Sequence, residues 1–219
     1  VQCLSDTLGH QHRLVTAVSL RRLDTQRLSR FRFRHNLFQQ YLYHRLDTVR
    51  RAHLHEAVGN TLEIFYGQTS DELGALAPQL AWHFEQAGLA DRAAACHLQA
   101  GKRAALLAAH EDAIGHLTRG LALLETQTNS PERARLKLDL QLAAVTPFSM
   151  ARGFWAPERI HALEQAHQIS QHPDFSGSPE RLEVLAAMAF FALWSAQPEC
   201  TLEIGEQVLR LAERDQDQQ

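Results

Sequence analysis

The spacing of apolar side chains along the chain changes period near residue 35. Before it, Leu14, Thr16, Val18 and Leu20 alternate with Val15, Ala17 and Ser19, while Phe31 and Phe33 alternate with Arg30, Arg32 and Arg34. A period of two over β-compatible residues places successive side chains on opposite faces of an extended strand. The two runs flank Asp24-Thr25, a turn pair, and predict a β-hairpin over about residues 14–34. After His35 the period is helical. Phe38, Leu42 and Leu46 are spaced by four with Tyr41 beside them, predicting a helix over about 36–46. Leu54, Val58, Leu62 and Phe65 form an apolar stripe on a second helix, about 48–66, which Gly67 ends. A short helix over 1–10 is expected from Leu4 and Leu8, one turn apart.

Helix, hairpin, helix is the back half of a winged helix, so residues 1–68 read as a partial winged-helix domain. Thr69 and Glu72 make a capping box, which puts the domain boundary near 67–70. Beyond it, residues 69–219 read as almost wholly helical. Helices are expected over about 73–87, closed by Gly88, then 90–108 and 110–126. Ser130-Pro131-Glu132 is a strong start signal: an N-cap hydroxyl, proline at the first helical position and a carboxylate in the first turn. Ala156-Pro157-Glu158, Ser178-Pro179-Glu180 and Gln197-Pro198-Glu199 repeat it, before a last helix ending near Glu213.

Small residues recur where paired helices would cross closely. Leu80, Ala81, Phe84, Gly88, Ala93 and Ala100 match the spacing of a tetratricopeptide helical hairpin. Ala113, Leu117, Gly120 and Leu121 match its second half again, and Leu163, Ala166 and Ile169 match more loosely. The expected fold is therefore mainly α: a partial winged helix with its β-hairpin, then a right-handed α-α superhelix of tetratricopeptide type. Such arrays bury a core only by stacking neighbours, and they leave extended surfaces for partners.

Charge adds an asymmetry to this division. Residues 1–52 hold ten arginines against three aspartates, net +7, so with −3 overall the remainder carries −10. Arg27, Arg30, Arg32 and Arg34 would then form a surface for phosphate or for docking an acidic domain, or simply the solvated face of a hairpin. Three cysteines (Cys3, Cys96, Cys200) lie far apart without CxxC spacing, which suggests reduced, buried thiols and a cytoplasmic protein. No apolar run approaches the roughly 20 residues of a membrane span. The chain begins with Val1 and its winged helix lacks leading helices, so a piece of a longer protein is expected.

Catalytic chemistry is missing from the pattern. There is no GxxxxGK[ST] phosphate loop, no HExxH and no GxSxG elbow, so the segment is not expected to be an enzyme or to hold a cofactor. The thirteen histidines do not fall at metal-ligand spacing along any one helix: His53 and His55 point apart, and His110 and His116 are six residues apart, as are His161 and His167. No metal site is expected. His35 stands at a helix start, where backbone N–H groups and the dipole attract anions, so it is either a phosphate donor or a capping and packing residue. Gln79, His83 and Gln86 are candidates to line a partner-binding groove on one helix face. Trp82, Trp155 and Trp194 are expected to pack between helices. Phe190-Phe191, in the apolar helix 181–196, is expected to be the most buried part of the array, unless a missing neighbour leaves that face open.

The stretch FRFRHNLFQQYLYHRLDTVRRAHLHEAVGNTLE resembles the end of the winged-helix domain in STAND-class signalling ATPases. It is most similar to bacterial multidomain regulators in which that ATPase is followed by tetratricopeptide-like helices, such as maltose-regulon-type activators and adenylate-cyclase-fused ATPases. QLAWHFEQAGLADRAAACHLQAGKRA, AHEDAIGHLTRGLALLE, ARGFWAPERIHALEQAHQI and TLEIGEQVLRLAE resemble the same architecture, so the likeness covers nearly the whole chain. The resemblance implies an upstream nucleotide-binding domain, with ATP or ADP bound in the parent protein, and His35 reaching back to the β-phosphate. Asn36 follows that histidine where the better-known motif has aspartate.

The function expected from all this is a regulatory and scaffolding segment of a signalling ATPase or transcriptional regulator. Its helical array would bind a protein partner or small-molecule inducer, and its winged helix would relay nucleotide state. The alternative is a DNA-binding winged-helix transcription factor with a helical effector or dimerisation domain. Its basic wing favours this, while VQCLSDTLGH, where the groove-reading helix should lie, offers no arginine or lysine.

Overall fold

The computed structural model describes residues 13–23, 26–66, 70–128, 130–176 and 178–194, with helical positions at 202, 204–206, 208 and 209. The expected helix over 1–10, the Thr69 cap, Gly67, the Gln197-Pro198-Glu199 start and the end of the last helix lie outside the described residues. The chain forms two compact units, Val1–Leu89 and Ala90–Gln219. It is mainly helical, with a small two-stranded antiparallel hairpin.

In the first unit, β1 (Val15–Leu23) pairs with β2 (Gln26–Phe33) from Val15 opposite Phe33 to Leu23 opposite Gln26, with a bulge between Ala17 and Ser19. On β2 the alternation holds as expected, with Phe31 and Phe33 half-buried and Arg30, Arg32 and Arg34 facing solvent; on β1 only Val15, among the described side chains, is buried, and Val18 and Leu20 are exposed. Helix α1 (Asn36–Arg45) starts at His35 and buries none of its residues. Helix α2 (Thr48–Tyr66) is capped by Asp47, whose carboxylate accepts the Arg50 N–H at 2.8 Å.

The expected stripe on α2 is displaced. Leu54 and Val58 are exposed, and the buried positions are His55, Gly59 and Phe65. Glycine explains the rotation. A Cβ built on Gly59 would stand 2.5 Å from Cε1 of Phe84, so only a bare backbone admits that fully buried ring from helix α3 (Ser70–Gln86). Helix α3 lies against α2 in this way and belongs to the same contact unit, which runs to Leu89. Helix α3 ends in a left-handed Gly88, with the Leu89 N–H reaching the Phe84 carbonyl and the Gly88 N–H reaching Glu85, a Schellman closure.

The second unit runs through α4 (Ala90–Leu106), α5 (His110–Glu125), α6 (Pro131–Arg152), α7 (Pro157–Ser170), a 3-10 turn (Pro173–Phe175) and α8 (Pro179–Trp194). Each helix packs on the next, α4 also meets α6, and α6 also meets α8. The core is carried by Leu98, Leu117, Leu124, Leu140, Ala144 and Phe148, with Leu138, Ala166, Phe175 and Val184 forming a second cluster. Two glycines set the crossings. A Cβ on Gly101 would meet Leu117 Cγ at 2.6 Å, and one on Gly120 would meet Leu140 Cδ2 at 2.9 Å. The predicted caps form as read: Ser130 Oγ accepts the Arg133 N–H at 3.3 Å and Ser178 Oγ accepts the Arg181 N–H at 3.2 Å.

Two expectations about aromatics fail. Trp82, Trp155 and Trp194 are each at least half exposed, and so is Phe190, whereas the most buried large side chains are Phe84, Phe175, Leu80 and Leu117. Helix α8 is so apolar that its burial cannot be read from composition. Its inner face is Val184, Leu185 and Ala192, and Ile204 packs on the last two.

Candidate binding groove

At the joint of hairpin and first helix, His35 occupies the N-cap of α1 with its side chain exposed and making no cap bond. Its ring stands 6.2 Å from that of Phe38. Arg30 and Arg32 present exposed side chains along β2, and Arg34 follows just past its end, with its Nε donating to Thr16 Oγ1 at 3.2 Å. Arg27 lies on the same strand opposite Arg22, and its side chain is outside the described residues.

The three candidates on α3 do not act together. Gln79 and Gln86 are exposed, while His83 is half-buried and turned onto α2. There its Nδ1 lies 3.0 Å from Nδ1 of His55, whose Nε2 lies 3.1 Å from the Tyr43 hydroxyl. Burial first, and then the neighbouring His55, lowers the pKa of His83; burial and Arg51 lower that of His55. In the second unit His97 and His116 meet in the same way, Nδ1 to Nδ1 at 3.1 Å. Neither pair is legible from spacing along a single helix. These partners are 28 and 19 residues apart and meet across helices. Among the described residues no group of three or more His, Cys, Asp or Glu is placed to hold a metal ion.

The second unit carries a groove that no residue pattern announced. Helices α5 and α7 form its walls and α6 its floor, enclosing about 470 Å³. Leu121, Ala122, Phe148 and Ala162 supply an apolar lining, and Thr118, Gln141 and His161 supply polar edges. Two carboxylates stand at the ends. Glu158, in the first turn of α7, is held below the usual carboxylate range by its own backbone N–H and by Arg152, with which it forms a tight ion pair. Glu125 ends α5, exposed and without an ion-pair partner among the described residues, where the last helical carbonyls add negative potential. Such a site can take an apolar side chain with a cationic group beside it. A second, more polar hollow of about 510 Å³ lies at the other end of α6 and α7, with Lys137, His172 and Asp174 around it.

No family model, no curated protein and no solved structure matches the chain. Among the described residues, no helix is long and apolar enough to cross a membrane.

Proposed function

We propose that this chain is a regulatory and scaffolding segment of a multidomain signalling protein, and that its helical array binds a protein partner. The groove over α6 between α5 and α7 carries this reading. Its apolar floor and the unpaired Glu125 favour a partner segment that presents an apolar side chain next to a lysine or arginine. The hairpin and α1 would be the end of a winged helix, as the STAND-class resemblance implies, with His35 toward an upstream nucleotide-binding domain. ATP or ADP would then belong to the parent protein.

The test is fluorescence anisotropy with two labelled amphipathic peptides of equal apolar content, one lysine-rich and one glutamate-rich. The lysine-rich peptide should bind, and Glu125→Lys should weaken it on the order of tenfold, the effect of one charge reversal at a partly desolvated contact. Absence of binding by the lysine-rich peptide, or binding unchanged by Glu125→Lys and Ala122→Arg together, would refute the groove.

A second reading has its own observation. The solvent-facing Arg30 and Arg32 on β2, with Arg34 just past its end, suit a nucleic-acid backbone. Duplex DNA titrated at two salt concentrations separates the readings. Tight, sequence-selective and salt-steep binding would favour a DNA-binding winged helix.

A further inference from the structure

The His55–His83 contact has a chemistry that neither the groove nor the hairpin uses. Two neutral imidazoles facing each other through Nδ1 at 3.0 Å hold one proton between them, one ring donating and the other accepting. Ring placement separates this from metal chelation. Rings meeting head-on at that distance have centroids about 5.3 Å apart. Two rings converging on one metal ion across the same gap would have centroids about 4.7 Å apart. The centroids are 5.1 Å apart here, and 5.3 Å apart in the His97–His116 pair, where the nitrogens are 3.1 Å apart. Both pairs lie nearer the head-on arrangement, with the two Nδ1 atoms within hydrogen-bond distance.

We propose that the His55–His83 bond is a proton-controlled latch that holds α3 on α2 when the pair shares a single proton and releases it when both facing nitrogens are protonated. The groups around the pair make the release possible. From α1 comes the Tyr43 hydroxyl, on His55 Nε2. Arg51, on α2 itself, lies over the Tyr43 ring at 5.3 Å and opposes added positive charge. From α3 comes Trp82, edge-on to the His55 ring at 4.8 Å. No carboxylate among the described residues forms an ion pair with either imidazole. A first extra proton can sit on an outer nitrogen, with the Tyr43 oxygen turning to accept it. A second must enter the 3.0 Å gap, where two N–H groups would point at each other.

The latch lies against the tightest crossing in its unit. Phe84, next to His83, is the ring that rests on Gly59, and His55 lies one turn from that glycine. Loss of the imidazole bond therefore loosens the contact through which α2 and α3 bury their shared face. The His97–His116 pair is an internal comparison. Asp112, one turn before His116, favours its protonated form and makes that pair better able to carry charge.

Hydrogen exchange of the 219-residue chain at pH 7.5 and pH 5.0, corrected for intrinsic rates, tests the latch. Amides of α2 and α3 should lose protection on the order of tenfold at pH 5.0, because the opened state takes up protons that the closed pair excludes. His83→Gln keeps a donor and an acceptor but does not titrate, so the pH response of α2 and α3 should shrink to what His55 alone contributes. A ¹⁵N titration of the imidazoles in the unsubstituted chain supplies a readout that no folding defect confounds. At neutral pH the two facing Nδ1 atoms should report one protonated and one bare nitrogen. Equal protection at both pH values, an unchanged pH response in His83→Gln, or zinc bound stoichiometrically by this pair at micromolar concentration would each overturn the proposal.

Discussion

Replacing Gly101 by alanine adds one methyl group at the crossing of α4 and α5. In an open helix interior that change is favourable by about 1 kcal/mol, because glycine carries excess backbone entropy in the unfolded chain. At Gly101 the new Cβ would lie 2.6 Å from Leu117 Cγ, 2.7 Å from Leu117 Cδ2 and 3.3 Å from the Ala113 carbonyl oxygen. Leu117 is wholly buried; rotation about χ2 leaves its Cγ in place, and rotation about χ1 would drive the side chain into the packed core around it. Overpacking of this kind costs about 1–3 kcal/mol. The repulsion offsets the propensity gain and leaves a net loss of up to about 2 kcal/mol. Gly115, on α5, has nothing within 4 Å of its Cβ position, so Gly115→Ala should stabilise by about 0.5–1 kcal/mol. Urea unfolding followed by circular dichroism should therefore move the midpoint in opposite directions for the two variants. Gly101→Ala combined with Leu117→Ala should cost less than the sum of the single changes, since the second removes the atoms the first collides with. Equal midpoints for Gly101→Ala and Gly115→Ala would refute the close crossing.

Three further outcomes follow from caps and buried rings. Ala108 closes α4 in the left-handed conformation, φ 58°, with the Ala109 N–H on the Ala104 carbonyl and the Ala108 N–H on Ala105, the closure that Gly88 gives α3. Ala108→Gly should raise stability by about 0.5–1 kcal/mol in the same urea assay, because glycine adopts that φ without a Cβ clash. Ser130→Ala removes the acceptor for the Arg133 N–H and should cost about 1 kcal/mol, read from the thermal midpoint. In the second unit His116 and His167 have lowered pKa values, each first through burial, the second also through Arg181. The unfolded chain then binds more protons than the folded one. Stability should be full above about pH 6.5 and fall as pH drops through the depressed values, with urea midpoints at pH 7.5 and 5.0 as the check.

Periodicity and start signals made the elements legible, and pair chemistry stayed hidden. The hairpin could be read because Phe31 and Phe33 alternate with arginines, a pattern set by strand geometry alone. Helices α2, α6, α7 and α8 began where hydroxyl, proline and carboxylate signals, or a change of period, placed them. What could not be read was which side of a helix turns inward when glycine competes with leucine. On α2 the apolar side chains of Leu54 and Val58 lose to Gly59, because a bare backbone admits the whole Phe84 ring. A hydrophobicity pattern scores side chains and is blind to the absence of one.

The same blindness covered the functional candidates. The α5–α7 groove joins Leu121, Phe148 and Glu158, whose proximity exists only after α5 and α7 have been laid side by side on α6. His83 is a candidate groove residue with Gln79 and Gln86, yet its ring turns inward to His55. An imidazole tolerates that turn where a lysine would not, since it can shed its charge and share a proton with a second ring. Two such pairs in neighbouring helix pairs place titratable bonds at packing positions that leucine usually fills. The helix contacts of this chain therefore answer to pH as well as to apolar burial, a dependence that hydrophobic packing alone would not create.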